Sequence, residues 1–127
     1  MVSPMKADIA GIALSAACLV HCLLLPVVIL AAPAWHVWLG ETETALHWVL
    51  FGIALLVTGW ALYAGYRRHA AMSVVATGAV GLLVMLAGAA HVFGRPTEAT
   101  LTILGAAIVA AAHLLNVRLC AGCAQPE

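Results

Sequence analysis

Four long apolar runs dominate the chain, and charged residues are rare inside them. The runs cover 9–32, 45–66, 71–93 and 99–117, and each has roughly the 20 residues that a helix needs to cross a bilayer core. The connections between the runs are short, which favours an up-down arrangement of the helices. We therefore predict an all-α membrane protein with four transmembrane helices in one bundle, forming a single domain over 1–127 with a C-terminal tail at 118–127.

The basic residues predict how this bundle is oriented. Lys6, Arg67, Arg68 and Arg118 lie near span ends on one side, and Arg95 lies alone on the other. Basic residues flanking transmembrane helices favour the cytoplasmic side. Both termini are therefore predicted to be cytoplasmic.

Composition agrees with a membrane protein and excludes some partners. Apolar residues make up 65% of the chain and charged residues 8%, with a mean hydropathy of +1.12, whereas soluble domains are about half apolar. The formal net charge is zero, and the scattered basic residues form no patch that could hold phosphate backbones. The lipid bilayer is thus an expected partner and nucleic acid is not.

The first run carries a group of candidate metal ligands, Cys18, His21 and Cys22. At about 100° per residue, Cys22 is some 40° from Cys18 and His21 is about 60° to the other side, so the three share one helix face. An ionisable group inside a span marks a functional site by default. Gly11 and Ser15 extend the same face, however, and small residues also serve close helix packing. Both interpretations of the thiols remain open.

The fourth run ends with a second group of candidate ligands. His113, Asn116 and Cys120 follow at i, i+3 and i+7 on one helix face. Cys120 and Cys123 form a C-x-x-C pair, which stays reduced on the cytoplasmic side and can bind a soft metal. Gly122 is expected to end the helix. We therefore add His113, Cys120 and Cys123 to the predicted metal ligands.

These donors indicate a soft metal ion as the bound species. Thiolates and imidazoles suit mercury, copper(I) or zinc, whereas magnesium and calcium prefer oxygen. Two thiolates cancel the charge of a divalent ion, which makes a position near mid-bilayer tolerable. His21 is either a third ligand or the base that accepts the thiol protons.

The carboxylates are expected to lie outside the spans. With the bounds given above the spans contain no Asp or Glu, which argues against a carboxylate proton relay. Asp8 is expected to precede the first helix and to cap it.

The remaining histidines and the glycines are expected to serve helix packing and not to bind a metal. The histidines concerned are His36, His47, His69 and His91. The glycines expected at close helix contacts are Gly78, Gly81, Gly88 and Gly105.

Three segments together resemble the MerC mercury-transport family of small four-span inner-membrane proteins. They are CLVHCLLLP at 18–26, GYRRH at 65–69 and HLLNVRLCAGC at 113–123, and the resemblance covers nearly the whole chain. It implies a bacterial inner-membrane transporter, not an enzyme, that has no permanently bound cofactor and takes up mercuric ion from the periplasm. It also implies that Cys18 with Cys22 receive the ion and that Cys120 with Cys123 pass it inward by ligand exchange, to a cytoplasmic acceptor or reductase.

The first-span cysteines differ from that family's pattern. They are adjacent in members from mercury-resistance operons, whereas three residues separate Cys18 from Cys22 here. Copper(I) and zinc therefore remain alternative cargoes. Two other functions also remain open, a helper subunit that packs against a partner in the membrane and a haem protein with His21 and His113 as facing ligands.

Overall fold

The computed structural model describes residues 4–32, 36–90, 92 and 95–123. Within these ranges, the side chains at positions 4, 25, 26, 29, 36–44, 95 and 96 are outside the description. The predictions for the His36, His91 and Arg95 side chains, and for the tail beyond Cys123, therefore lie outside the described residues.

Four α-helices account for nearly all of the described chain. They are α1 (Pro4–Ala31), α2 (His36–His69), α3 (Met72–Ala89) and α4 (Arg95–Gly122). Each contains a segment long and apolar enough to cross a membrane, so the prediction of an all-α, four-span protein is confirmed. Helices α1, α2 and α4 begin before the predicted apolar runs because a helix satisfies its own backbone hydrogen bonds and does not need apolar side chains to continue.

A two-residue connection joins α2 to α3. Ala70 adopts the left-handed conformation, with φ of 54°, and its N–H donates to the carbonyl of Tyr66 at 2.8 Å. The N–H of Ala71 donates to Nδ1 of His69 at 2.9 Å. The turn thus satisfies groups that the end of α2 would leave exposed.

Helices α3 and α4 pack closely along glycines. A Cβ atom added at Gly81 would lie 2.9 Å from the backbone nitrogen of Val109, and one added at Gly105 would lie 2.7 Å from that of Met85. Gly78 and Gly88 are buried as well. The predicted close-packing role of the glycines is therefore confirmed.

The bundle turns its small and polar residues inward. Helix α4 packs against the other three helices, and α2 also contacts α1 and α3. Large apolar side chains cover the outside, with Leu30 of α1 82% exposed and Leu56 of α2 75% exposed. This distribution is the one expected of a bundle surrounded by lipid.

Candidate metal site

Cys18 and Cys22, hereafter the intramembrane pair, lie inside the bundle. Their exposed fractions are 3% and 6%, and both are in the reduced thiol form. Cys18 packs in the central apolar cluster with Ala54 of α2, Met85 of α3 and Val109 of α4. The two sulfur atoms therefore belong to the interior and are shielded from lipid.

A small cavity, hereafter the thiol cavity, lies beside this pair. Its volume is about 10 Å³, near the minimum that one water or one small ion needs. All four helices contribute to its wall, which consists of Cys18, His21, Cys22, His47, Leu50, Phe51, Met85, Ala89 and Thr102. Because Ala89 ends α3 and Thr102 lies two turns into α4, the cavity is near one end of the bundle.

His47 of α2 is held in the wall of the thiol cavity by a carboxylate of α4. Its Nδ1 lies 2.8 Å from Oε1 of Glu98, and both residues are buried, at 7% and 8% exposure. The other ring nitrogen, Nε2, is buried without a hydrogen-bond partner among the described residues, and so is the hydroxyl of Thr102. Two unsatisfied polar atoms therefore belong to residues of the same small cavity as the two thiols.

His21 completes the polar part of the wall. Its ring meets the ring of His47 edge to face, with centroids 5.6 Å apart and an interplanar angle of 88°. The sequence-predicted trio of Cys18, His21 and Cys22 thus lines one cavity. Within the described part of the chain, however, no three His, Cys, Asp or Glu side chains are already gathered as a metal would require.

The thiol cavity offers soft donors of three kinds. Two thiols, two imidazoles and the thioether of Met85 line it. Thiolate and thioether ligands prefer copper(I), and thiolates and imidazoles also suit zinc and related soft ions. The wall can therefore supply ligands to a soft cation after small rotations of its side chains.

A second buried polar cluster, hereafter the polar network, lies at the opposite end of the bundle. Nδ1 of His113 lies 2.8 Å from Oδ1 of Asp8, and its Nε2 lies 3.2 Å from the hydroxyl of Thr58. The side-chain amide of Asn116 donates to both carboxylate oxygens of Asp8, at 3.1 and 2.9 Å, and to the carbonyl of Ala61 at 3.2 Å. The network thus joins α1, α2 and α4.

His69 extends the polar network to the end of α2. Since its Nδ1 accepts from the N–H of Ala71, its Nε2 carries the proton and donates to Oδ1 of Asn116 at 2.8 Å. The ring is therefore a neutral imidazole, and it links the end of α2 to α4.

Two glycines create the space that the polar network occupies. A Cβ atom at Gly11 of α1 would overlap the ring of His113, and one at Gly65 of α2 would overlap the amide of Asn116. Both ring nitrogens of His113 are engaged in hydrogen bonds. In this arrangement His113 has no nitrogen available for the metal that the sequence predicted it to bind.

Cys120 and Cys123, hereafter the terminal pair, lie beyond the polar network. Cys120 is partly buried and Cys123 is exposed, and the Cys123 thiol lies 3.8 Å from the carbonyl of Arg68. Helix α4 ends at Gly122, as predicted. Cys120 follows Thr102 of the thiol cavity by eighteen residues, which is about 27 Å along a helix. The structure therefore does not bring the two cysteine pairs together.

Three expectations from the sequence are corrected by this geometry. Asp8 does not precede the first helix, because α1 begins at Pro4 and Asp8 is a buried residue of its second turn, 1% exposed. Glu98 likewise lies within a candidate span, at 97–122, so the spans do contain carboxylates. Finally, His113 packs at the level of Gly11, ten residues or about 15 Å along α1 from His21, so these two histidines do not face each other across a haem site.

His47, Glu98 and Thr102 were not identified as site residues from the sequence. Glu98 and Thr102 are spaced i, i+4 on α4, and His113 and Asn116 continue the same buried face. This spacing is the signal that could have found them, because recurrence every three or four residues marks one side of a helix. The predicted apolar run on α4 begins after Glu98, so the spacing of Glu98 and Thr102 is not visible within it.

Comparison with known proteins gives the family. A family model described as "MerC mercury resistance protein" matches residues 8–118, nearly the whole chain. No curated protein and no solved structure matches. The matched range includes the intramembrane pair, His47, Glu98 and the whole polar network, and excludes the terminal pair. This four-span membrane protein therefore belongs to the MerC mercury resistance family.

Proposed function

We propose that the protein carries mercuric ion inward across a bacterial inner membrane, with Cys18 and Cys22 as its ligands inside the bundle. Family membership indicates mercury-related membrane transport. The observation that carries the assignment of the ligands is that both thiols are buried and line one cavity. The protein acts as a transporter and not as an enzyme, and the ion is its cargo.

The charge balance of the site supports this role. A bare divalent cation is very costly to bury, but two thiolates neutralise it, and metal binding drives release of the thiol protons. The wall also includes the apolar side chains of Leu50, Phe51 and Ala89, which supply no compensating charge. The ion can therefore occupy this position only as a thiolate complex.

The terminal pair is the proposed acceptor of the ion on the cytoplasmic side. Basic residues at the same end of the bundle, Arg67 and Arg68 among them, favour a cytoplasmic location for that end. Because about 27 Å of helix separates Cys120 from the level of Thr102, transfer by ligand exchange requires at least one intermediate position. From Cys120 and Cys123, a cytoplasmic thiol protein or reductase would receive the ion.

Uptake of mercuric ion tests the proposal. Bacterial cells that express the wild-type chain, Cys18→Ser/Cys22→Ser or Cys120→Ser/Cys123→Ser at equal membrane levels are exposed to radioactive mercuric ion. We expect the first double variant to fall to the level of cells without the protein and the second to show partial loss. Wild-type accumulation by Cys18→Ser/Cys22→Ser would contradict the proposal and favour the helper-subunit alternative.

The identity of the cargo is tested separately on purified, reduced protein. Mercuric, cuprous, zinc and cadmium ions compete for the wild-type chain and for each double variant. We expect mercuric ion to displace the others from the intramembrane pair. Tighter binding of copper(I) or zinc would retain the transport mechanism but change the cargo.

A further inference from the structure

His47 in the wall of the thiol cavity has a buried ring nitrogen, and neither the packing nor the two thiols explain why this nitrogen has no hydrogen bond. Nε2 of His47 is buried and has no hydrogen-bond partner among the described residues. A buried, unpaired polar atom costs about 1–3 kcal/mol, and natural structures contain few of them. The hydroxyl of Thr102, unpartnered in the same wall, repeats the observation. These two atoms indicate that the cavity binds a species that can make polar contacts with them.

The bonding of His47 is the one found in metal-binding histidines. Its Nδ1 is engaged by the carboxylate of Glu98 at 2.8 Å, which leaves Nε2 as the free nitrogen. Metal-ligating histidines almost always donate their other ring N–H to a carboxylate, a carbonyl or a water, and this contact fixes the tautomer and the ring orientation. The pair joins α2 to α4 across the bundle, so the ring is held by a neighbouring helix.

We propose that His47 is a third ligand, supplied by α2, of the ion that Cys18 and Cys22 bind, and that Glu98 is its positioning residue. This inference rests on the proposed function. Two thiolates and one neutral imidazole form an electrically neutral complex with a divalent ion, and the carboxylate of Glu98 is hydrogen-bonded behind the imidazole. The loaded site then joins α1 to α2, and it closes by rotation of the thiol and imidazole side chains toward the cavity.

The contrast with His113 supports the choice of His47. His113 is also paired with a carboxylate, but Thr58 occupies its second nitrogen. His21 lines the cavity too, and its ring meets the ring of His47 edge to face. Of the two carboxylate-paired histidines, His47 and not His113 has a buried second nitrogen without a partner among the described residues, and that nitrogen belongs to the wall of the thiol cavity.

Cadmium-113 NMR on the full-length, reduced protein in detergent micelles tests the inference. The histidine rings are labelled with nitrogen-15, and one equivalent of cadmium ion is added to the Cys120→Ser/Cys123→Ser variant, which retains only the intramembrane pair. We expect one imidazole nitrogen to show direct coupling to cadmium. We expect this coupling to vanish in His47→Gln, to persist in His21→Gln, and the cadmium affinity of His47→Gln to fall by about 10- to 100-fold.

Further variants separate the possible failures. In Glu98→Gln, the amide oxygen still accepts from Nδ1, so we expect the coupling to persist with a smaller loss of affinity. If His47→Gln does not fold, the His21→Gln spectrum carries the test, because the coupling should persist there. Coupling lost in His21→Gln instead, or cadmium bound with sulfur ligands alone and at unchanged affinity in His47→Gln, would overturn the inference while leaving the two thiolate ligands in place. Unchanged binding in Cys18→Ser/Cys22→Ser would overturn the proposed function itself.

Discussion

The bundle contains two histidine–carboxylate pairs that are alike at one ring nitrogen and different at the other. In His113 with Asp8 and in His47 with Glu98, Nδ1 lies 2.8 Å from a carboxylate oxygen. Nε2 of His113 is bonded to Thr58, whereas Nε2 of His47 has no partner among the residues that the structure describes. One pair is complete within the protein and the other is not.

This difference indicates that the two ends of the bundle have separate roles. A fully satisfied buried network stabilises one arrangement of helices, whereas an unsatisfied group costs free energy that only another role can explain. The polar network has no cysteine among its members, and the thiol cavity has two. The polar network joins α1, α2 and α4, and the contrast supports the proposal that the thiol cavity is where the ion binds.

The largest expected effect comes from breaking the polar network at Asp8. Asp8→Ala leaves the donors of His113 and Asn116 without their acceptor, and each buried polar group that loses its partner costs about 1–3 kcal/mol, so the losses at two residues add up. Reversible unfolding in mixed micelles measures the change. Asp8→Asn is the matched control, since its amide oxygen still accepts one of these bonds, and it should lose less. An Asp8→Ala protein as stable as the wild type would contradict a structural role for the network.

A smaller effect is expected at the glycines that make room for the network. Gly65→Ala places a methyl group against Asn116, and such overpacking costs about 1–3 kcal/mol. Gly59→Ala is the control on the same helix, because among the described residues no packing neighbour lies within 4 Å of the added Cβ there and alanine favours the helix by up to about 1 kcal/mol. Equal changes in the free energy of unfolding for the two variants would contradict the role of Gly65 in making room for the network.

The smallest effect comes from two matched threonine substitutions. Thr58→Val leaves Nε2 of His113 unpaired and should lower the free energy of unfolding by about 1–3 kcal/mol. Thr102→Val removes a hydroxyl that is already unpaired, so it should leave stability unchanged or slightly raised. The same unfolding measurement compares them, and a larger loss at Thr102 than at Thr58 would reverse the assignment of the two ends.

Most of the fold could be predicted from the sequence, because length and hydropathy suffice to identify membrane helices. The four runs and the glycine contacts between α3 and α4 were correct for this reason. The common face of Cys18, His21 and Cys22 followed from helix geometry alone. Local periodicity was therefore a reliable guide within each helix.

The partners across helices could not be predicted in the same way. His47 and Glu98 are 51 residues apart in the chain, and Asp8 and His113 are 105 apart. The hydropathy pattern also started the predicted spans just after Asp8 and Glu98, because a charged residue at a span end lowers the average hydropathy. The thiols could thus be predicted as site residues from the sequence, whereas the two carboxylates and the difference between the two histidine pairs could not.

Mercury X-ray absorption on the reduced Cys120→Ser/Cys123→Ser protein tests the central claim most directly. One equivalent of mercuric ion is added, so that Cys18 and Cys22 are the only thiols available. The account predicts an ion with two sulfur neighbours, lost when Cys18→Ser and Cys22→Ser are also introduced. A protein that retains both buried thiols and yet binds mercuric ion no better than the variant without cysteines would contradict it.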